Sequence, residues 1–422
     1  VSASNIYHHI RLFNPAVWPL NPQSFVHIGH RKLLIQPPFN ISDTSTDINA
    51  ILLIMAPTLD IQIQNRMSSS PVFAYVTGQA LEHGNHVCLI KADAKTPYYP
   101  DSPSQTCAPL SENCSIRLGP QGSTTTVTIP QLAGGRIWFS VEKELTFLIN
   151  PGPAIVEPSV TNPSDPNINI EWAFCEFTFA NNSLYANISY VDFVAFPVGI
   201  TMVPDNGEAQ IVRGLKPDGL ASICAGLESP DLVASNDWRK LIYETGGRKL
   251  RVLSPNQANV MNRWQLFQGY YDSYVSQVWE KYSRDPLTVD TQAQWGKIRA
   301  KTSNNNLEFE GVGAFSKPSS ADIFGCSSGP FASNEGARGP LTARLCAALN
   351  RSTLLINDVH PNDEKVENYY KDQVTNHYAR LVHEANIDGR GYAFPYDDVP
   401  GEGVDQSGFV NGNPKEFIVS IG

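Results

Sequence analysis

Two carboxylates, Glu176 and Asp192, stand inside two aromatic and β-branched runs separated by a polar stretch, residues 181–187. Such runs joined by Asn- and Ser-rich text read as a β-hairpin spanning residues 172–197. Folded symmetrically about Leu184, the hairpin sets Glu176 opposite Asp192, each eight positions from the centre. Both side chains then leave the same face of the sheet. Two acids on one face of an otherwise apolar sheet suit a reaction that needs one protonated carboxyl and one ionised carboxylate. Hydrolysis of a glycosidic bond is such a reaction. The plain alternative is a pair of solvated side chains on an outer face, with Asp192 bonding a nearby backbone amide.

No other constellation carries comparable chemistry. Tyr7-His8-His9 has no further ligand spaced nearby and reads as surface, and no His-Glu-x-x-His or Cys-x-x-Cys pattern occurs. A Ser-His-Asp triad is not supported, and His377 beside Tyr378 reads as a packed, hydrogen-bonded histidine. No cofactor and no metal are expected.

Only 17% of the 422 residues are charged, while Pro (31) and Gly (30) are plentiful, which describes a turn-rich β protein and argues against disorder. The net charge of −10 leaves no basic patch to replace phosphate counterions, so nucleic acid is excluded as a partner and a neutral polymer fits. No apolar run approaches the roughly 18 residues of a membrane helix; the longest, residues 50–57, has the length of a strand. Among seven cysteines, Cys107 and Cys114 are spaced to close a short loop, and Cys326 and Cys346 to pin a loop to a following helix. Cys175, inside an apolar strand, is the expected free thiol, and Cys88 and Cys224 complete the set. Glycosylation sequons begin at Asn40, Asn113, Asn181, Asn187 and Asn350, of which Asn187 sits too near a strand to be used. With a start at Val1, these features lead to the expectation of a processed, secreted monomer, extracellular or associated with a cell wall.

The elements that must position the acids follow from periodicity. Residues 59–64, 72–76, 87–90, 124–129, 136–141 and 145–149 read as short strands between turns. Ser254-Pro255 opens a helix, and Val260, Trp264, Phe267, Tyr271, Val275, Val278 and Tyr282 continue it as a buried stripe. Further helices are expected at 217–227, 237–244, 340–350 and 363–384, and strands at 307–312 and 353–355. The text is β-like again from Gly389 to the end. The expected order is an extension at 1–50, a β domain at 51–205, a mixed α/β domain at 206–385 and a return to the β domain at 386–422. This is a β-rich α+β fold, a sandwich or barrel core with an insertion and a wide cleft between the two.

Several phrases together resemble known proteins. Ala133-Gly134-Gly135-Arg136-Ile137-Trp138, Cys175-Glu176-Phe177-Thr178, Ile188-Ser189-Tyr190-Val191-Asp192-Phe193 and Tyr392-Ala393-Phe394-Pro395-Tyr396-Asp397-Asp398 resemble strands of thaumatin-like proteins. Asn150-Pro151-Gly152-Pro153, Pro158-Ser159-Val160-Thr161-Asn162-Pro163 and Asn376-His377-Tyr378-Ala379-Arg380 are similar to glycoside hydrolase family 64, the laminaripentaose-producing β-1,3-glucanases. The resemblance covers residues 51–422. It implies a thaumatin-like β core with an added α/β domain and inverting hydrolysis of β-1,3-glucan, with Glu176 as general acid and Asp192, sixteen residues later, as general base. It further implies sugar contacts from Thr178, Tyr185 and Ser189, with Ala180 standing where an asparagine is expected and Asn181 beside it.

Tyr396, Asp397 and Asp398 are candidates for the cleft floor, and Tyr98, Tyr99 and Tyr185 for stacking surfaces; Trp138 reads rather as core. The symmetric hairpin is too tight for inversion. Opposed Cβ atoms lie about 4.5–5.5 Å apart, whereas inversion needs carboxyls roughly 6.5–9.5 Å apart. A bulge at 187–189 is therefore expected, which would also bring Ser189 to the acidic face. The alternative to an enzyme is a thaumatin-like β-glucan-binding protein without hydrolysis; a cell-wall structural protein is a third reading.

Overall fold

Alternating apolar and polar residues build two large sheets with a common core. In the computed structural model, which describes residues 57–68, 71–232, 237–402 and 405–422, the larger sheet runs in the order Phe409–Gly412, Ser183–Ile188, Glu171–Ala180, Leu132–Val141, Val72–Ala80, His86–Ile90 and Pro97–Tyr98. One of two five-stranded sheets among the described residues has the order Gln210–Val212, Val198–Pro204, Pro414–Ile421, Leu59–Asn65 and Thr124–Ile129. The C-terminal strand lies at its centre, parallel to Leu59–Asn65 and antiparallel to Val198–Pro204. Tyr7-His8-His9, the Asn40 sequon and the 1–50 extension lie outside the described residues. Residues 57–422 form one compact unit.

Ile137, Phe139, Cys175, Phe177, Phe179, Leu184 and Ala186 face one side of the larger sheet and are buried with Ile61, Ile63, Ile200, Phe417 and Val419 of the smaller one. A buried aliphatic or aromatic side chain is worth about 1.5–3 kcal/mol, so this shared layer contributes substantially to holding the two sheets together. On the opposite face, Trp138, Trp172, Phe174 and Phe193 form an aromatic cluster with ring centroids 4.6–6.4 Å apart. Trp138 is core, as its sequence context suggests, at 1% exposure.

The helices are concentrated between the strands Gln210–Val212 and Phe409–Gly412. Gly219–Leu227, Arg338–Arg351 and His377–Ala385 match expected helices, although the last covers only the end of the 363–384 prediction. The 237–244 segment is instead a 3-10 turn followed by the strand Ile242–Thr245, and 353–355 is turn rather than strand. The long helix expected from Ser254 is two helices, Pro255–Met261 and Asp272–Arg284. Ser254 caps the first as predicted, accepting the Gln257 amide. The continuous aromatic spacing is broken because Arg263, Trp264 and Phe267 take positive φ, which ends a right-handed helix.

All seven cysteines are thiols. Cys107 is exposed while Cys114 is buried near Cys88, so the expected 107–114 loop closure does not form. Cys326 lies against Cys346 without a bond between them. Of the described sequons, Asn113 and Asn181 are exposed, whereas Asn187 and Asn350 are buried. Asn350 is spent on Ile323 O, Cys346 O and Asn376.

Candidate active site

The acidic hairpin is real but its register differs from the symmetric expectation. The turn is only Asn181-Asn182, both at positive φ (51° and 59°), and Ala180 pairs with Ser183. Two consecutive left-handed residues make the tight turn whose twist matches a hairpin, a conformation asparagine tolerates. Residues 183–187 are therefore strand, not turn, and Glu176 faces Asn187 instead of Asp192. No bulge intervenes on this side, because the Ser183–Ile188 strand ends before Asp192.

The pairing lines up a polar row across four strands: Thr77, Arg136, Glu176 and Asn187. One step along, Thr178 faces Tyr185. The strand Glu171–Ala180 is buried on both faces in its first half and opens on one face only at Glu176, Thr178 and Ala180. Gly134 and Gly135 shape this opening. Gly134 has φ 54°, near the register shift between Phe177 and Phe179, and a Cβ on Gly135 would lie 2.4 Å from the Phe177 ring.

Arg136 organises the charges. Its Nη1 donates to Glu157 Oε2 at 2.6 Å, and its Nη2 and Nε donate to Glu176 Oε1 at 3.2 and 3.3 Å. The guanidinium lies 5.0 Å from the Phe174 ring and 5.4 Å from the Trp138 ring, which fixes its plane. Burial opposes its charge, yet the carboxylates of Glu157, Glu176 and Asp192 outweigh that cost and raise its pKa above the usual arginine value. Asp192 is thus within electrostatic reach of the same guanidinium as Glu176.

Asp192 comes from a different support. It precedes the short strand Phe193–Val194, which pairs with Arg248–Leu253 rather than with the hairpin. Its carbonyl accepts the Ser254 amide at 2.9 Å, and its Oδ1 accepts Gln257 Nε2 at 2.5 Å. The helix opened by Ser254 and Pro255 therefore holds Asp192 from outside the large sheet. The two acids are therefore carried by different sheets, not by the two strands of one hairpin.

The other anticipated residues separate. Tyr185 stacks on Phe409 at 5.3 Å, and burial with the charges of Asp398, Asp405 and Glu176 raises its phenol pKa well above normal. Thr178 lies beside it, with the Gly134 amide 3.4 Å from its hydroxyl. Ser189 is buried and makes a backbone bridge to Tyr392. Asn181 is exposed at the turn, its amide donating to the Gln131 side chain. Tyr396 is half-buried with φ 70°.

Asp397 does not line the cleft. It has no exposed surface and binds Arg351, His383 and the Ala393 amide. Its neighbour Asp398 turns the other way, accepting the Tyr392 hydroxyl at 3.4 Å and acting on Tyr185. Burial and the nearby Asp405 and Asp397 push the Asp398 carboxyl up to about 6. His377 is packed as expected, 3.1 Å from Gln373 O, with burial lowering its pKa to about 4. Tyr99 stacks on His83 at 4.2 Å, and the Tyr98 hydroxyl lies 2.9 Å from Ser111 Oγ.

Four residues of the site escaped the sequence reading: Arg136, Glu157, Asn187 and Gln257. Strand alternation in the Gly134-Gly135-Arg136 phrase was the available signal for Arg136. Asn187 is 5% exposed and its Nδ2 has no hydrogen-bond partner among the described residues, so a buried donor is left opposite Glu176. Gly325-Cys326-Ser327-Ser328-Gly329 has the spacing of a nucleophile elbow centred on Ser327 but follows the helix Ser320–Gly325 rather than a strand. Among the described residues, no group of three or more His, Cys, Asp or Glu side chains is arranged to hold a metal.

With this geometry in place, comparison with known proteins is informative. The family model described as Beta-1,3-glucanase, glycoside hydrolase 64, matches residues 57–421. A glucan endo-1,3-beta-glucosidase of Arthrobacter sp. (strain YCWD3) is 31% identical over 306 residues, 71% of this chain and 54% of that protein. One from Cellulosimicrobium cellulans matches with the same identity and coverage. The chain thus spans about half the length of these curated relatives. A crystal structure of a laminaripentaose-producing beta-1,3-glucanase in complex with laminaritetraose superimposes with a TM-score of 0.76 at 29% identity, covering 86% of this chain and 98% of that one. A beta-1,3-glucanase domain from Clostridium beijerinckii shares the fold with a TM-score of 0.67 at 19% identity, over 86% of this chain and 98% of its own.

Proposed function

Because the chain belongs to glycoside hydrolase family 64, the β-1,3-glucanases, we propose that it hydrolyses linear β-1,3-glucan internally and with inversion, releasing short oligosaccharides. The observation that carries the reading is that Glu176 and Asp192, on separate supports, are each held through one carboxylate oxygen, Glu176 by Arg136 and Asp192 by Gln257, while the other oxygen makes no hydrogen bond among the described residues. We take the larger sheets as a thaumatin-like core and the helix-bearing segment as its insertion.

In this reading, Glu176 is the general acid. Arg136 occupies its Oε1, so Oε2 is the oxygen that carries the proton to the glycosidic oxygen. Asp192 is the general base. Gln257 holds its Oδ1, which orients Oδ2 to take a proton from water. The water oxygen bonds to the anomeric carbon as the bond to the departing sugar breaks. The leaving oxygen gains the Glu176 proton and Asp192 keeps the proton from water, which balances the step. Thr178, Tyr185 and Asn187 line the same face and supply a hydroxyl, a ring and an unspent amide for sugar contacts.

The exposed sequons at Asn113 and Asn181 support export, and one chain carries every group the reaction needs, which supports action as a monomer. The test is incubation with linear β-1,3-glucan, following the first-formed anomer by NMR. Release of oligosaccharides with the α-anomer at the new reducing end is expected. Initial formation of the β-anomer overturns inversion. Saturable binding without product leaves the lectin-like reading standing instead.

A further inference from the structure

We propose that Glu157, acting through Arg136, keeps the proton on Glu176, making Glu157 a positioning residue that sets the alkaline limit of hydrolysis. The inference rests on the acid role of Glu176 proposed above.

A guanidinium beside a carboxylate favours its charged form, which is the wrong form for an acid. Arg136 is in that place, and it cannot swing away because its strand pairs on both sides and two aromatic rings flank it. Glu157 is the compensating charge. It takes the short 2.6 Å bond and leaves Glu176 only contacts of 3.2 and 3.3 Å. Charge-assisted bonds weaken as they lengthen beyond the usual 2.7–2.9 Å or so. Glu157 is held in turn: the Thr77 hydroxyl donates to its Oε1 at 3.3 Å and accepts the Trp138 indole at 3.0 Å. Trp138, Thr77, Glu157, Arg136 and Glu176 thus form one chain of contacts ending at the acid.

The groups around Glu176 make the compensation matter. Arg136 and Thr77 come from neighbouring strands, Glu157 from the segment after Ala154–Val156, and Asn187 and Tyr185 from the partner strand. Asp192 acts from its separate support, and Asp398 and Asp405 lie beyond Tyr185. Arg136 is the cation of this set. Without Glu157 its charge falls on Glu176 and Asp192 alone.

The test compares pH profiles of kcat/KM on linear β-1,3-glucan for the wild type, Glu157→Gln and the double variant Arg136→Gln/Glu157→Gln. It adds an aryl β-laminarioside whose acidic phenol leaves without protonation. In Glu157→Gln the alkaline limb is expected to move about one unit to lower pH. Activity then falls about tenfold on the alkaline side, with little change at the acidic plateau or on the aryl substrate. The double variant should return the limb toward its wild-type position. An unmoved limb, an equal loss at every pH, or an equal loss on the aryl substrate overturns the proposal and leaves Glu157 a structural ion-pair partner. If melting shows the double variant unfolded, the single variant decides. The acid role is checked separately with Glu176→Gln. Full activity of that variant on glucan overturns both readings. Loss on glucan with retention on the aryl substrate, beside an unshifted Glu157→Gln profile, overturns this inference alone.

Discussion

Two arginines in this protein each sit between two carboxylates, and they are used in opposite ways. Arg351, Asp397 and Glu364 have side-chain exposures of 0%, 0% and 1%. Arg136, Glu157 and Glu176 have 29%, 28% and 19%. Around Arg351 most polar groups are spent inside the fold, its Nε excepted. The guanidinium donates to Val399 O, Asp397 O and Asp397 Oδ1, His383 and the Ala393 amide meet Asp397 Oδ2, and Glu364 takes Thr353 and His360. Burial opposes the charges of Asp397 and Glu364, but these partners hold both below the usual carboxylate range. Around Arg136 the contacts are one-sided: Glu176 is held by Oε1 alone, and the Asn187 amide opposite is left over. The difference teaches that similar ions form a structural clamp when the protein closes them off from solvent, and in the proposed reading can do chemistry when a carboxylate oxygen stays open toward solvent.

The largest expected effect separates the clusters by activity. Glu176→Gln and Asp192→Asn should each lower kcat on β-1,3-glucan by about 10²–10⁴-fold, measured as reducing ends released, with unchanged thermal melting. Retained activity in either variant breaks the comparison on the chemical side.

Next comes stability. Asp397→Ala leaves a fully buried guanidinium short of its carboxylate, and breaking such a pair costs about 3–5 kcal/mol. Urea denaturation should show this loss, while activity per folded molecule survives. Lost activity at intact stability would place Asp397 in the machinery and break the comparison from the other side.

Smaller effects sharpen it. Tyr185→Ala removes a ring beside Thr178 and should raise KM by roughly tenfold or less, with kcat affected less, in steady-state kinetics. The smallest effect concerns pH. His377 has a folded pKa of about 4, below its unfolded value of about 6.5. Protonation therefore favours the unfolded chain as pH falls from about 6.5 toward 4, costing about 1 kcal/mol at pH 5.5. In His377→Gln, denaturation midpoints measured across that range should vary less steeply with pH. By the same linkage, stability from Asp397 and Glu364 is complete above their unfolded values near 4. It is lost as pH falls through their lower folded ones.

Much of the fold was legible because strands and caps are local. The 124–129 strand has the boundaries its alternation indicates, and Ser254-Pro255 opens a helix as its chemistry requires. The break at 262–271 was not legible, because aromatic spacing carries no sign of the positive φ values that interrupt it. The same limit applies to Asp397 and Asp398. Adjacent aspartates read alike in a sequence, yet one is enclosed by Arg351 and His383 while the other accepts the Tyr392 hydroxyl.

The sequence by itself determined the strand that carries the proposed acid Glu176 and the turn residues that allow a hairpin, since residue type and short-range conformational preference decide these. Only the tertiary structure decided how the two proposed acids are supported. Two asparagines at positive φ shorten the turn and place Asn187 opposite Glu176. Asp192 is then delivered by the Phe193–Val194 strand and the Ser254-capped helix, contacts 62 and 65 positions along the chain. Arg136 and Glu157 join them through pairing between strands distant in sequence. Long-range pairing depends on the burial of whole faces, and no local spacing of carboxylates encodes it.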